Sequence, residues 1–361
     1  MTPKGPELSI RSTLLQYCLL LVLLPAMARP VAAQDPQLRF GARVPPEVED
    51  IYSRGLAWLT DNQTDNGNWT GVRSGHGVGD TGICGMAVMA YLASGEDPNF
   101  GRYAENIRRA LCYMIRQQSG STGYLPGSMY QHGFAMLGLA EAYGVVDEDV
   151  LWEGQESTGR RTIGEALELA VRCAVVAQKK NRMGGWRYTP DSSDSDTSVT
   201  GAVLMGLLAA RNAGIRVPDD CIDNALEYFQ KMTSKQGGVG YSGGMGGLGG
   251  SKNLQAISSL VMAIGRRKNL KEYEAVSRQV TLNIEHAEGG YPFYFRYYMA
   301  QALFQSDFDA WQRWNTKTIR ELKALQSQDG SFNSSHGQLY GTAMSMLALA
   351  LNYRFLPVYE R

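Results

Sequence analysis

The stretch Gln178-Lys179-Lys180-Asn181-Arg182-Met183-Gly184-Gly185-Trp186 decides the fold through what flanks it. Before it, Ala166, Leu169, Ala170, Cys173, Ala174 and Ala177 recur at helical spacing, so one face of that segment is apolar and the other charged. After it, Val199 to Ala210 is apolar or small all round, and such a helix must be enclosed by others. The same order returns along the chain. Gly67, Gly123, Gly185, Gly238, Gly290 and Gly330 recur every 40 to 62 residues, each with an aromatic neighbour, and Gln63, Gln118, Gln178, Gln230 and Gln326 close the amphipathic segments. The enclosed segments are Ile83 to Leu92, Phe134 to Ala142, Val199 to Ala210, Leu254 to Ile264, Tyr297 to Phe304 and Thr342 to Leu351. Similarity at such a period marks units that bury their faces on one another. Six outer amphipathic helices alternating with six enclosed ones predict an all-α chain, an α/α toroid (α6/α6 barrel) of six helical hairpins. Asp80-Thr81, Asp196-Thr197-Ser198 and Gly341-Thr342 read as starts of inner helices.

Composition narrows the function. With 35 Lys plus Arg against 35 Asp plus Glu among 361 residues, and 44% hydrophobic residues, the chain is neither disordered nor a nucleic-acid binder. Lys4 and Arg11 precede an apolar run from Leu14 to Leu24, and Val31-Ala32-Ala33 suits cleavage before Gln34. Residues 1–33 therefore read as a secretory signal, 34–361 as a single toroid domain, and the location as periplasmic or secreted. Cys84, Cys112, Cys173 and Cys221 have no Cys-x-x-Cys spacing and sit in apolar helical contexts, which favours buried thiols; Cys112 and Cys173 are the least implausible pair for a disulfide. Nine glycines in the fourteen residues Gly237 to Gly250 lack the preceding strand that a phosphate-cradling loop requires.

Three segments resemble one family. Gly184-Gly185-Trp186-Arg187-Tyr188 with Asp191, Asp194 and Asp196-Thr197-Ser198 resembles the acid-motif region of squalene and oxidosqualene cyclases. Gly289-Gly290-Tyr291-Pro292-Phe293-Tyr294-Phe295-Arg296-Tyr297-Tyr298-Met299 is similar to a stretch near their C-terminus. Gln328-Asp329-Gly330-Ser331-Phe332 is similar to their Gln-Trp repeats, with Phe332 where Trp is usual. The chain thus resembles the prenyltransferase and squalene cyclase repeat superfamily, whose α/α toroid is the architecture inferred above. The resemblance implies a terpenoid-like lipid substrate, with Asp196 as the proton donor and Asp194 as its partner. Thr197 replaces the last carboxylate of the Asp-x-Asp-Asp pattern, so helix capping by Asp196 stands beside the acid reading. The zinc motif of protein prenyltransferases, Asp-x-Cys, is absent, as is the Gly-Cys-Gly-Glu-Gln of complement-like thioester domains.

Aromatic faces can steady a carbocation or stack on a sugar ring, and Trp69, Trp186, Tyr241, Tyr291, Phe293, Tyr294 and Tyr298 lie near inner-helix starts. His76, His132 and His336 each precede an inner helix, so a toroid gathers them with Asp80 and Asp196 at one mouth. None has the close spacing of a metal site, so no metal or other cofactor is expected. For a glycan-acting barrel the visible groups are Arg187, Arg296, Asp194 and Asp196. Two classes stay open, a terpenoid cyclase or isomerase and a non-catalytic exported toroid that binds a lipid, glycan or protein, with a glycan-acting α/α-barrel enzyme as a third and peripheral membrane contact open.

Overall fold

A computed structural model describes residues 44–69, 81–156, 158–243 and 251–357. The expected signal segment, His76, Asp80 and the second half of the glycine-rich loop lie outside them. The described chain is twelve α-helices: α1 Pro46–Asp61, α2 Thr81–Ala93, α3 Ala104–Gln117, α4 Met129–Ala142, α5 Ile163–Lys180, α6 Thr197–Asn212, α7 Asp219–Met232, α8 Lys252–Ile264, α9 Lys271–Leu282, α10 Pro292–Ser306, α11 Phe308–Leu325 and α12 Gln338–Leu349. Among the described residues there is no strand, only two isolated bridges, Asp196 with Ser242 and Thr233 with Val239. No helix among them is long and apolar enough to cross a membrane.

The even-numbered helices pack in sequence, α2 on α4, α4 on α6, and so on, until α12 returns to α2 and closes the inner ring. Every residue of α2 is buried, as an enclosed helix requires. The odd-numbered helices lie outside and bury one stripe, as in α3, where Ile107, Ala110, Leu111, Met114 and Ile115 face inward. Glycine makes the inner seams close: a Cβ on Gly138 would stand 2.6 Å from the Gly85 Cα, so α2 and α4 meet backbone to backbone. All four described cysteines are buried thiols outside any disulfide, so Cys112 and Cys173 are not paired.

One device joins the hairpins. The Gln178 amide donates to the Gly184 carbonyl at 2.7 Å and to the Cys221 carbonyl of the next outer helix at 2.8 Å. Gln63 reaches Gly67 and Asn106, and Gln118 reaches Gly123 and Ala166. Gln326 reaches Gly330 and, back at the start of the chain, Ile51. The ring is closed by the same bond that spaces its units. The glycine at each such turn has φ between 76° and 91° and abuts the backbone of the next outer helix, so a side chain is excluded twice over.

This corrects the register read from sequence. The turn glycines of the third and fourth units are Gly184 and Gly237, not Gly185 and Gly238, and Gly290 has no such conformation. Gln230 departs from the pattern: it points to the Glu272 carboxylate at 3.3 Å, and Gln255 of α8 serves Gly237 instead. Gly341-Thr342 does not start a helix. It lies inside α12, where the Thr342 hydroxyl accepts from the Phe332 amide at 3.0 Å.

Candidate functional site

The inner helices all present their first turns to one mouth of the barrel, and there they enclose a cavity of about 410 Å³. Each contributes: Ile83 from α2, Tyr130 and Gln131 from α4, Ser198 and Val199 from α6, Asn253 and Leu254 from α8, Tyr294 from α10 and Tyr340 from α12. Tyr188 and Tyr241 enter from the loops before α6 and α8, and Tyr291 and His336 stand just before α10 and α12. Six tyrosines thus line one cup, and no Asp, Glu, Lys or Arg does so among the described lining residues.

The rim is exposed aromatic surface. Tyr291 is 55% exposed, Tyr188 49% and Tyr241 39%. The Tyr188 and Tyr241 hydroxyls meet at 2.5 Å across the opening, and Tyr291 stacks on His336 with centroids 5.5 Å apart. The floor is buried. Tyr294 packs edge-on to Tyr298 at 4.7 Å and tilted to Tyr130 at 6.0 Å, and the three hydroxyl oxygens are buried without a well-formed hydrogen bond. Burial pushes the phenols of Tyr130, Tyr294 and Tyr298 upward, so they remain hydroxyl donors. Asn253 adds a buried amide oxygen, also without a partner.

Asp196 lies behind this wall and is 0% exposed. Its Oδ1 accepts from the Val199 amide at 2.8 Å and caps α6, while Oδ2 has no hydrogen-bond partner. Burial raises its pKa to about 6, partly opposed by the Val199 amide and the Arg187 charge. Its backbone is pinned between two loops: the Asp196 amide donates to Trp186 and the Thr197 amide to Tyr241. Asp196 is therefore the helix cap that its sequence allows, on a buried rather than a solvated turn. Asp194 turns the other way and pairs with Arg187 at the surface, so the two carboxylates do not converge on one cavity.

Of the other residues singled out from sequence, Tyr241, Tyr291, Tyr294 and His336 line the cup, and Tyr298 backs it. Trp69 and Trp186 do not; each is a buried wedge whose indole N–H donates to the preceding outer helix, at Leu59 and Ala174. His132 is fully buried, accepting from the Leu125 amide and reaching the Ala170 carbonyl, so it does in the second unit what Thr200 does at Trp186 and Thr342 at Phe332. Phe293 and Arg296 face elsewhere: Arg296 pairs with Glu321 of α11 at 3.1 Å and lies over the Phe293 ring. The lining tyrosines missed were Tyr130, Tyr188 and Tyr340. Their common signal is a tyrosine shortly before, or in the first turn of, an inner helix.

No family model matches the chain, and no curated protein matches it. Solved structures do. A GH76 α-1,6-mannanase of Salegentibacter sp., an inactive variant in complex with α-1,6-mannotriose, aligns with TM-score 0.60 at 11% identity, over 84% of this chain and 99% of that one. A GH76 α-mannanase of Bacteroides thetaiotaomicron aligns at 0.58 and 12%, over 89% and 99%. The type II terpene cyclase MstE of Scytonema, in complex with geranylgeranyl dihydroxybenzoate, aligns at 0.56 and 14%, over 86% and 98%. The chain is an α/α toroid. It shares this terpenoid cyclase-like toroid fold with both groups, and at these identities the likeness is one of fold.

Proposed function

We propose that the tyrosine cup of this exported toroid holds a short neutral glycan without turning it over. The lining supports the reading: six tyrosines surround one cavity of about 410 Å³, three of them exposed at its rim, with His336 beside them and no Asp, Glu, Lys or Arg among the described lining residues. Aromatic faces suit the apolar side of a sugar ring, and the hydroxyls and amides of the floor suit its oxygens. Glycoside hydrolysis needs two carboxyl groups flanking the scissile bond, whereas Asp194 is at the surface with Arg187 and Asp196 is behind the wall. Calorimetric titration with α-1,6-mannotriose and related neutral oligosaccharides tests the proposal. Saturable binding without cleavage is expected, weakened about tenfold or more in Tyr291→Ala and Tyr188→Ala. Absence of saturable sugar binding overturns it.

A second reading rests on Asp196 alone, a buried acid with one oxygen unpartnered and a pKa raised to about 6 close behind Tyr294. Such a group can protonate an alkene if substrate reaches it. Incubation with squalene or geranylgeranyl dihydroxybenzoate separates the two. A cyclic product lost in Asp196→Asn supports the cyclase, and sugar binding preserved in that variant supports the receptacle.

A further inference from the structure

The opposite end of the barrel holds a cavity of about 240 Å³, between the C-terminal ends of α6 and α8 and the outer helix α7. Its lining is mostly polar: Arg211, Arg266, Arg267 and the Asp223 carboxylate share the wall, and Leu208, Ile222, Leu226 and Ile264 supply a smaller apolar part. Arg267 pairs with Asp223 at 2.6 Å, and Arg211 reaches Asp219 only at 3.8 Å. Arg266 is exposed, and its guanidinium makes no ion pair or hydrogen bond among the described residues.

Cations at helix C-termini ordinarily serve the last carbonyls. Here backbone amides do so. Ala213, Ile215 and Gly214 donate to Ala209, Ala210 and Arg211 at the end of α6, and Gly265, Arg267 and Arg266 donate to Val261, Met262 and Ala263 at the end of α8. The arginines are surplus to capping. Arg266 also has φ 59°, a conformation in which a side chain is strained and glycine is not, although Gly265 stands directly before it. A cation without a partner, held at a cavity where Asp219 and Asp223 engage only Arg211 and Arg267, leaves a net positive charge for an anion to meet.

We propose that Arg211, Arg266 and Arg267 form a site for a phosphate group, independent of the tyrosine cup. A guanidinium fork matches phosphate oxygens in pairs, and the side chains of Leu208, Ile222, Leu226 and Ile264 can meet the carbon skeleton that carries the phosphate. That chemistry comes from a soluble phosphate ester or from a lipid headgroup.

The test uses the whole chain, titrated with inorganic phosphate by calorimetry and floated with phosphatidylcholine vesicles with and without phosphatidylglycerol. Saturable phosphate binding without flotation assigns a soluble ligand. Flotation that depends on phosphatidylglycerol assigns a headgroup. Arg266→Gly is expected to raise Tm by about 1–2 °C by relieving the strain, while weakening binding about tenfold. Arg211→Gln is expected to weaken binding with Tm unchanged. Neither saturable phosphate binding nor phosphatidylglycerol-dependent flotation in the parent chain, or a stabilised Arg266→Gly that binds as before, overturns the proposal.

Discussion

Burial pushes the Asp196 carboxyl up to about 6, so the folded chain holds that proton more tightly than the unfolded chain does. Its contribution to stability is complete below pH 3.8 and is lost as pH rises through 6. Asn at this position keeps the cap without the charge. Asp196→Asn is therefore expected to match or exceed the parent by about 1–2 kcal/mol at pH 7.5, with the gain vanishing near pH 4, as urea denaturation at the two pH values would show. His132 has the opposite sign: burial lowers it to about 4 from 6.5, so its contribution is present above 6.5 and is lost as pH falls towards 4. His132→Ala strips partners from the Leu125 amide and the Ala170 carbonyl and is expected to cost about 2–4 kcal/mol with ligand affinity unchanged. The sequence singled out both residues, because an Asp before an apolar run and a His at an inner-helix start are visible without coordinates. It could not show on which side of the wall each stands, since one turn of helix or loop separates a lining position from a buried one. Tyr130 and Tyr340 went unseen for a related reason: each sits in the first turn of an inner helix, but they lie 210 residues apart, and only ring closure brings them together.

At the scale of elements, the alternation of outer and inner helices was legible because amphipathic and uniformly apolar segments differ in composition before they differ in place. The joints were legible only in part. Glutamine and glycine marked them, but the pairing of one glutamine amide with carbonyls in two units is a three-dimensional fact. Gln178→Ala removes the side-chain donor that the Gly184 and Cys221 carbonyls share and is expected to cost about 2–3 kcal/mol. Gln230→Ala loses only a contact to the Glu272 carboxylate and is expected to cost under about 1 kcal/mol. Denaturant midpoints of the two variants check the contrast; equal losses would mean that the glutamines act as ordinary helix-end residues.

For the whole molecule, closure makes the last hairpin as indispensable as any other. The Arg54 guanidinium donates to Ser327 at 2.7 Å, beside the bond from Gln326 to Ile51. Arg54→Ala combined with Gln326→Ala is expected to raise amide exchange in α1 and α11 ahead of the other helices, with a lower denaturant midpoint for the whole chain. A stacked array without closure would instead lose only its terminal unit. The seam also sets a clock on the ribosome. Ile51 and its partner Gln326 are 275 residues apart, which at 5–20 residues per second is roughly 15 to 55 seconds of synthesis. Throughout that interval the flank of α2 that will meet α12 has no cover, so the nascent chain carries a sticky edge until its final hairpin emerges, and holdase chaperones have that long to engage it.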